Sequence, residues 1–136
     1  QPKFVVDLGG GKNNFINLLK KDGINGVGVD FVYKEADIVA PMHQVPIEDN
    51  KADMVTAFDS LEHLLPQEID EVFGEMKRIV NPGGMFVFSI SYGSSNILIK
   101  DQNLHPTVKP EEWWLRRIER YCNVEKYKQY LVGTFK

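Results

Sequence analysis

Cysteine is nearly absent from this sequence: Cys122 is the single one among 136 residues. One thiol excludes an intrachain disulfide framework and suits a reducing compartment, so a cytoplasmic location is expected. Cys122 itself reads as a small buried apolar residue. Long apolar runs are also missing. No stretch approaches the ~20 residues that span a bilayer, and no basic-then-apolar leader opens the chain, so no membrane partner is expected. A cationic excess is lacking too, since the formal net charge is −3. That balance makes a nucleic-acid partner unlikely. The charge is uneven, however: residues 109–136 hold seven Lys/Arg against four Asp/Glu. A modestly basic end of this kind reads as a solvated helix face. There is no repeat, low-complexity tract or linker, so residues 1–136 are expected to form one domain. No His/Cys/acid cluster has metal-ligand spacing, and no Gly-x-Ser-x-Gly elbow occurs, so neither a metal nor a serine nucleophile is assigned.

What the chain has is alternation of strand and helix patterns. Strands are expected at about 3–8, 25–30, 36–40, 52–58 and 85–90, with two weaker ones within 124–135. Helices are expected at about 12–22, 66–80 and 111–121. The second helix carries Ile69, Val72, Phe73, Met76, Ile79 and Val80 at the helical period, and Asn81-Pro82-Gly83-Gly84 stops it. Met85 to Ile90 is an unbroken apolar run, as in a central strand covered on both faces. Only about six residues join strands two and three, too few for a crossover helix. The expected fold is a Rossmann-like, mostly parallel α/β sheet with helices on both faces and a shortened link between strands two and three.

The richest segment is Val6-Asp7-Leu8-Gly9-Gly10-Gly11-Lys12-Asn13, where an apolar strand ends in an acid and a glycine turn before an amphipathic helix. Such a unit places a ligand at the carboxyl ends of the strands. Gly9 and Gly11 let the backbone turn tightly and approach a ligand. A carboxylate directly before the glycines repels a pyrophosphate and attracts a sulfonium or an amine, which points to S-adenosylmethionine. The dinucleotide fingerprint also fails at Asn14, where its last glycine would stand.

Five segments in order resemble class I S-adenosylmethionine-dependent methyltransferases nearly end to end. Val5-Val6-Asp7-Leu8-Gly9-Gly10-Gly11 resembles the family's acidic-x-Gly-x-Gly-x-Gly motif, and Gly28-Val29-Asp30-Phe31 its acid at the end of strand two. The run from Val45-Pro46-Ile47 to Asp53-Met54-Val55 resembles the stretch that enters strand four. Ser60-Leu61-Glu62-His63-Leu64 matches the Leu-Glu-His segment after it, and Asn81-Pro82-Gly83-Gly84 the turn before strand five. The resemblance implies a cofactor set of Asp7, Gly9, Gly10, Gly11, Asp30, Phe31, Met42, Phe58 and Asp59. In it Asp7 sits near the aminoacyl group and Asp30 takes the ribose hydroxyls. Phe31 lies on the adenine or belongs to the core, and the Met42 N–H serves the adenine ring. Asp7 and Asp30 also have plainer readings as turn acids.

The family pattern is broken at two positions. Asn13 replaces the usual third glycine, although Asn tolerates left-handed geometry. Pro41 stands where many relatives carry an adenine-binding Asp, and Asp37 comes too early to replace it. For catalysis, Asp59 and His105 are the candidate groups that orient an acceptor or take its proton. Asp59 and Ser60 also suit a helix cap, with Glu62 completing a capping box, and His63 reads as structural. Trp113 and Trp114 cannot both face one core, which leaves one of them for the acceptor side. The implied activity is methyl transfer from S-adenosylmethionine to a small-molecule or sugar-like acceptor by in-line displacement. Two alternatives stay open: a non-catalytic relative that binds the cofactor weakly, and a nicotinamide-dependent oxidoreductase, which Asp7 disfavours.

Overall fold

A computed structural model of the chain describes residues 1–92, 98–99, 102–103 and 107–136. Strand β1 (Phe4–Leu8) leads through helix α1 (Asn14–Lys21) to β2 (Asn25–Asp30) and a short β3 (Ile38–Val39). Strand β4 (Ala52–Phe58) is followed by a 3-10 turn (Leu61–His63), helix α2 (Pro66–Ile79) and β5 (Val80–Ser89). Two two-residue strands, β6 (Leu98–Ile99) and β7 (Gln102–Asn103), pair with each other. Helix α3 (Glu111–Ile118) then precedes a hairpin of β8 (Cys122–Tyr127) and β9 (Tyr130–Phe135).

The main sheet runs β3-β2-β1-β4-β5-β9-β8, parallel from β3 to β5 and antiparallel at β9 and β8. The chain winds outward from β1 to β3, then restarts at β4 on the other flank of β1. That reversal opens a crevice at the carboxyl ends of β1, β2 and β4, which is where ligands bind in such sheets.

Helices cover both faces. In β4 and β5, Ala57 pairs with Phe88 and Phe58 with Ser89, so Phe58 and Phe88 point to opposite sides. Phe15 of α1 meets Phe58 edge-on at 4.9 Å, and Phe73 of α2 meets Phe88 at 5.8 Å. The α2 face is the thicker core, with Ile69, Val72, Phe73, Met76 and Ile79 all sealed from solvent. Pro66 occupies the first turn of α2, where its missing N–H costs nothing, and the Glu68 carboxylate accepts from the Leu65 N–H at 2.8 Å. Trp114 and Ile118 of α3 extend the same core.

Several boundaries differ from the sequence expectation. Strand β3 shrinks to two residues, and α3 ends three residues early. Strand β5 begins at Val80, because Val80 pairs with Ala52 before the Asn81-Pro82-Gly83-Gly84 turn shifts the register. The β6–β7 pair was not foreseen, since two-residue strands leave no periodicity to detect. The link between β2 and β3 is held without a helix. Asp37 Oδ2 accepts from Gly28 N at 2.9 Å and from Asn13 Nδ2 at 3.0 Å, with Lys20 3.5 Å from its other oxygen. Cys122 is buried, and burial pushes its thiol pKa up to about 12, which leaves it inert.

Candidate active site

The turn after β1 is built on left-handed backbone. Gly9, Gly11 and Asn13 have φ of 73°, 59° and 71°. A Cβ on Gly9 would lie 2.5 Å from Ser60 Cβ, so the two loops touch through bare backbone. Asn13 takes the left-handed conformation expected of it and buries its amide against Asp37. The turn therefore survives the loss of the third glycine.

A cleft of about 750 Å³ opens over this turn. Its size falls in the roughly 300–1,000 Å³ range of small-molecule sites. Gly9, Gly11, Asp30, Phe31 and Met42 line one part, and Asp59, Ser60, His63, Leu64 and Glu68 another. Asp30 is already engaged: Oδ2 accepts from Gly11 N at 2.9 Å, and Oδ1 from Val32 N and Tyr33 N. It is thus a turn acid and a cleft acid at once, since a carboxylate has about four acceptor positions. Phe31 stands 71% exposed at the cleft wall, which removes the core alternative for it.

Three residues of the implied cofactor set lie elsewhere. Asp7 is 2% exposed and does not line the cleft; its Oδ1 accepts from Thr56 Oγ1 at 2.7 Å. Burial raises its pKa to about 6, against a lowering pull from the Thr56 bond, with the Asp30 charge adding to the rise. Gly10 also stays off the cleft, and a Cβ there would sit 2.7 Å from Asp7 Oδ2. Its role is to leave room for that carboxylate. Phe58 is displaced outright. Its ring packs between Phe15 and Tyr130 on the α1 face, because strand alternation turns it away from the loop it precedes.

Asp59 sits at φ 48°, an uncommon conformation for a non-glycine residue, where its carboxylate lines the cleft. Its N–H donates to Ser89 O and Ser89 Oγ, and its Oδ1 accepts from Ser89 Oγ at 3.2 Å, so the end of β5 fixes it. The capping alternative is not realised. Ser60 Oγ donates to Leu8 O instead, and the segment makes a single 3-10 turn. Glu62 in that turn is 1% exposed, and among the described residues its carboxylate has no side-chain hydrogen-bond partner. Burial raises its pKa. Thr107 also meets this turn, with N donating to Glu62 O and Oγ1 to Leu64 O.

His105 lies outside the described residues. Trp114 is core, and Trp113 lies beneath the Arg117 guanidinium, 4.3 Å from its ring centre. Neither lines the cleft. His63, read as structural, does line it, and the sequence reading missed His43 and Glu68 there. Glu68 was detectable in principle, since the first turn of α2 follows β4 after one short 3-10 turn and lies near the same strand ends.

A family model described as a methyltransferase domain matches residues 6–88. No curated protein matches the sequence. Among solved structures, a protein from Pyrococcus horikoshii is similar at 19% identity and TM-score 0.79, covering 100% of this chain and 82% of that one. An S-adenosylmethionine-dependent methyltransferase from Archaeoglobus fulgidus is similar at 17% identity and TM-score 0.73, covering 98% and 86%. A Burkholderia thailandensis 1,6-didemethyltoxoflavin-N1-methyltransferase, solved with that compound and S-adenosylhomocysteine, is similar at 17% identity and TM-score 0.71, covering 99% and 71%. These similarities show a shared fold, and the match over residues 6–88 shows the lineage. The chain belongs to the methyltransferase-domain family, and it shares its fold with S-adenosylmethionine-dependent methyltransferases.

Proposed function

We propose that the cleft holds S-adenosylmethionine along Gly9, Gly11, Asp30, Phe31 and Met42, and that residues 1–136 act as one domain which methylates a small-molecule or sugar-like acceptor. The observation that carries this reading is the ≈ 750 Å³ cleft at the sheet's reversal point, with glycine backbone on one side and the Asp30 carboxylate on the other. The donor supplies a methyl carbon already made electrophilic by its sulfonium, so the protein's share is mainly positioning.

Each residue's part follows from its surroundings. Asp30 is fixed by three N–H groups and keeps acceptor capacity for ribose hydroxyls. The exposed ring of Phe31 gains cover by lying on a purine. Asp7 acts from below the loop rather than by contact, favouring cationic over phosphate ligands through its field. Asp59 presents a carboxylate held by Ser89 toward the place where acceptor and methyl group meet. His105 stays a candidate proton acceptor, tested by methylation rates of His105→Ala across pH.

Calorimetry with S-adenosylmethionine is the direct test. Single-site micromolar binding, weakened by about tenfold or more in Asp30→Asn, is the expected outcome. Absence of binding heat, with no label incorporated from methyl-tritiated donor into any acceptor, would overturn the reading.

A further inference from the structure

We propose that the part of the cleft lined by Asp59, His63, Leu64 and Glu68 takes an acceptor bearing a protonatable amine; this rests on the proposed placement of S-adenosylmethionine along Gly9, Gly11 and Asp30.

Charge is the first argument. Among the described residues, the titratable side chains that line the cleft are carboxylates, imidazoles and one phenol, with no Lys or Arg. Asp30 is held by the Gly11, Val32 and Tyr33 N–H groups and serves the cofactor in the proposed placement. Asp59 and Glu68 are each anchored through one oxygen only, Oδ1 to Ser89 Oγ and Oε1 to the Leu65 N–H. Among the described residues, Asp59 Oδ2 and Glu68 Oε2 accept no hydrogen bond, so two fixed carboxylates present open acceptor positions. Apolar Leu64 lines the same part of the cleft, and Pro41 and Met42 line the cleft as well, which lowers the local dielectric and strengthens the field. A carboxylate or phosphate on the acceptor is repelled there, and an ammonium is drawn in.

Hydrogen-bond accounting is the second argument. Glu62, in the turn that joins Asp59 and Ser60 to His63 and Leu64, is buried and adds a third carboxylate close to Asp59. Glu62 itself does not line the cleft, so the acceptors open to a ligand are Asp59 Oδ2 and Glu68 Oε2. This end of the cleft has acceptors in excess and is short of donors. An amine with two or three N–H groups supplies that shortage, whereas an alcohol brings one donor and no charge.

The chemistry closes on the same groups. A bound ammonium gives one proton to a carboxylate or imidazole at this end. The freed lone pair forms the new N–C bond, the pair of the broken S–C bond stays on sulfur, and the proton passes to solvent.

The test uses the whole chain, methyl-tritiated S-adenosylmethionine, and sets of acceptors that share a skeleton and differ in one group. Phenethylamine, phenethyl alcohol and phenylacetate form one set, and n-hexylamine, n-hexanol and n-hexanoate another. Label is expected on the amine members. Glu68→Gln keeps an oxygen for the Leu65 N–H and removes the charge. It is expected to lower kcat/KM for the amine by about tenfold or more, mainly through KM, with cofactor Kd unchanged. The proposal is overturned if alcohols or carboxylates are labelled while amines are refused, or if no amine is labelled. It is equally overturned if both Glu68→Gln and Asp59→Asn methylate amines like the wild type. Failure of the wild type to bind the cofactor would instead sink the proposed function.

Discussion

Asp7 is a carboxylate kept from water, and its charge carries an energetic consequence. Its folded pKa of about 6 lies above the 3.8 of an ordinary aspartate. The folded chain therefore keeps a proton that the unfolded chain releases between those values. The stability linked to this group is complete below pH ~4 and is lost as pH rises to ~6, a difference of roughly 3 kcal/mol. Asp7→Asn retains an oxygen for Thr56 and has no charge to bury. Denaturant titrations at pH 7 should show it more stable than the wild type by up to roughly that amount, with the gap closing toward pH 4. The same variant should bind S-adenosylmethionine less tightly, because the field beneath the loop is gone. Gly28 makes a second residue-scale case. A Cβ there would overlap Asn13 Oδ1, and Asn13 cannot swing away without breaking its bond to Asp37. Gly28→Ala is expected to cost about 1–2 kcal/mol in thermal or chemical unfolding, and a variant as stable as the wild type would refute that coupling. The role of Gly9 follows from its motif. That of Gly28 does not, since the close neighbour is fifteen positions away in the chain.

Among elements, the segment between β3 and β4 depends on one side chain. Arg78, near the end of α2, donates Nη1 to Ile47 O at 2.7 Å and to Asp49 Oδ1 at 2.8 Å, and Nη2 to Val45 O at 2.8 Å. Its Nε and Nη2 also grip Glu75, whose Oε2 accepts from the Val45 N–H at 2.6 Å. This fork binds three carbonyl or carboxylate positions of a loop without secondary structure, geometry that an ammonium cannot reproduce. Arg78→Lys is therefore expected to lose about 1–2 kcal/mol and Arg78→Ala about 2–3 kcal/mol of unfolding free energy. Equal stability of Arg78→Lys and wild type would show the fork to be dispensable. The Val45-Pro46-Ile47 motif was visible in the sequence, but its anchor lies some thirty residues away on another element. Strand β3 and the β6–β7 pair were equally hard to foresee, because pairing partners define such short strands and local pattern does not.

For the whole molecule, binding in the cleft adds ligand contacts across the carboxyl ends of β1, β2 and β4, which the sheet already pairs. A ligand bound to the folded chain alone stabilises it by about 2.7 kcal/mol at one hundred times its Kd. For a chain of this length that corresponds to a rise in Tm of about 10 °C. Thermal melts with S-adenosylmethionine, and with NAD as a control, should show the rise for the first and none for the second. The reverse order would restore the oxidoreductase alternative.

The acid–glycine turn, the alternation of apolar strand and amphipathic helix, the brief β2–β3 link and the acid ending β2 were all legible before any coordinates. Each is a local signal, carried by neighbours in the chain or by the period of one element. Which side chains share the cleft was not legible. Asp7 withdrew to Thr56 and Phe58 turned to Phe15, while Glu68 and His63 came to line the opening. Those outcomes depend on strand order, register and burial, which arise from contacts between residues far apart in sequence, and no single segment encodes them.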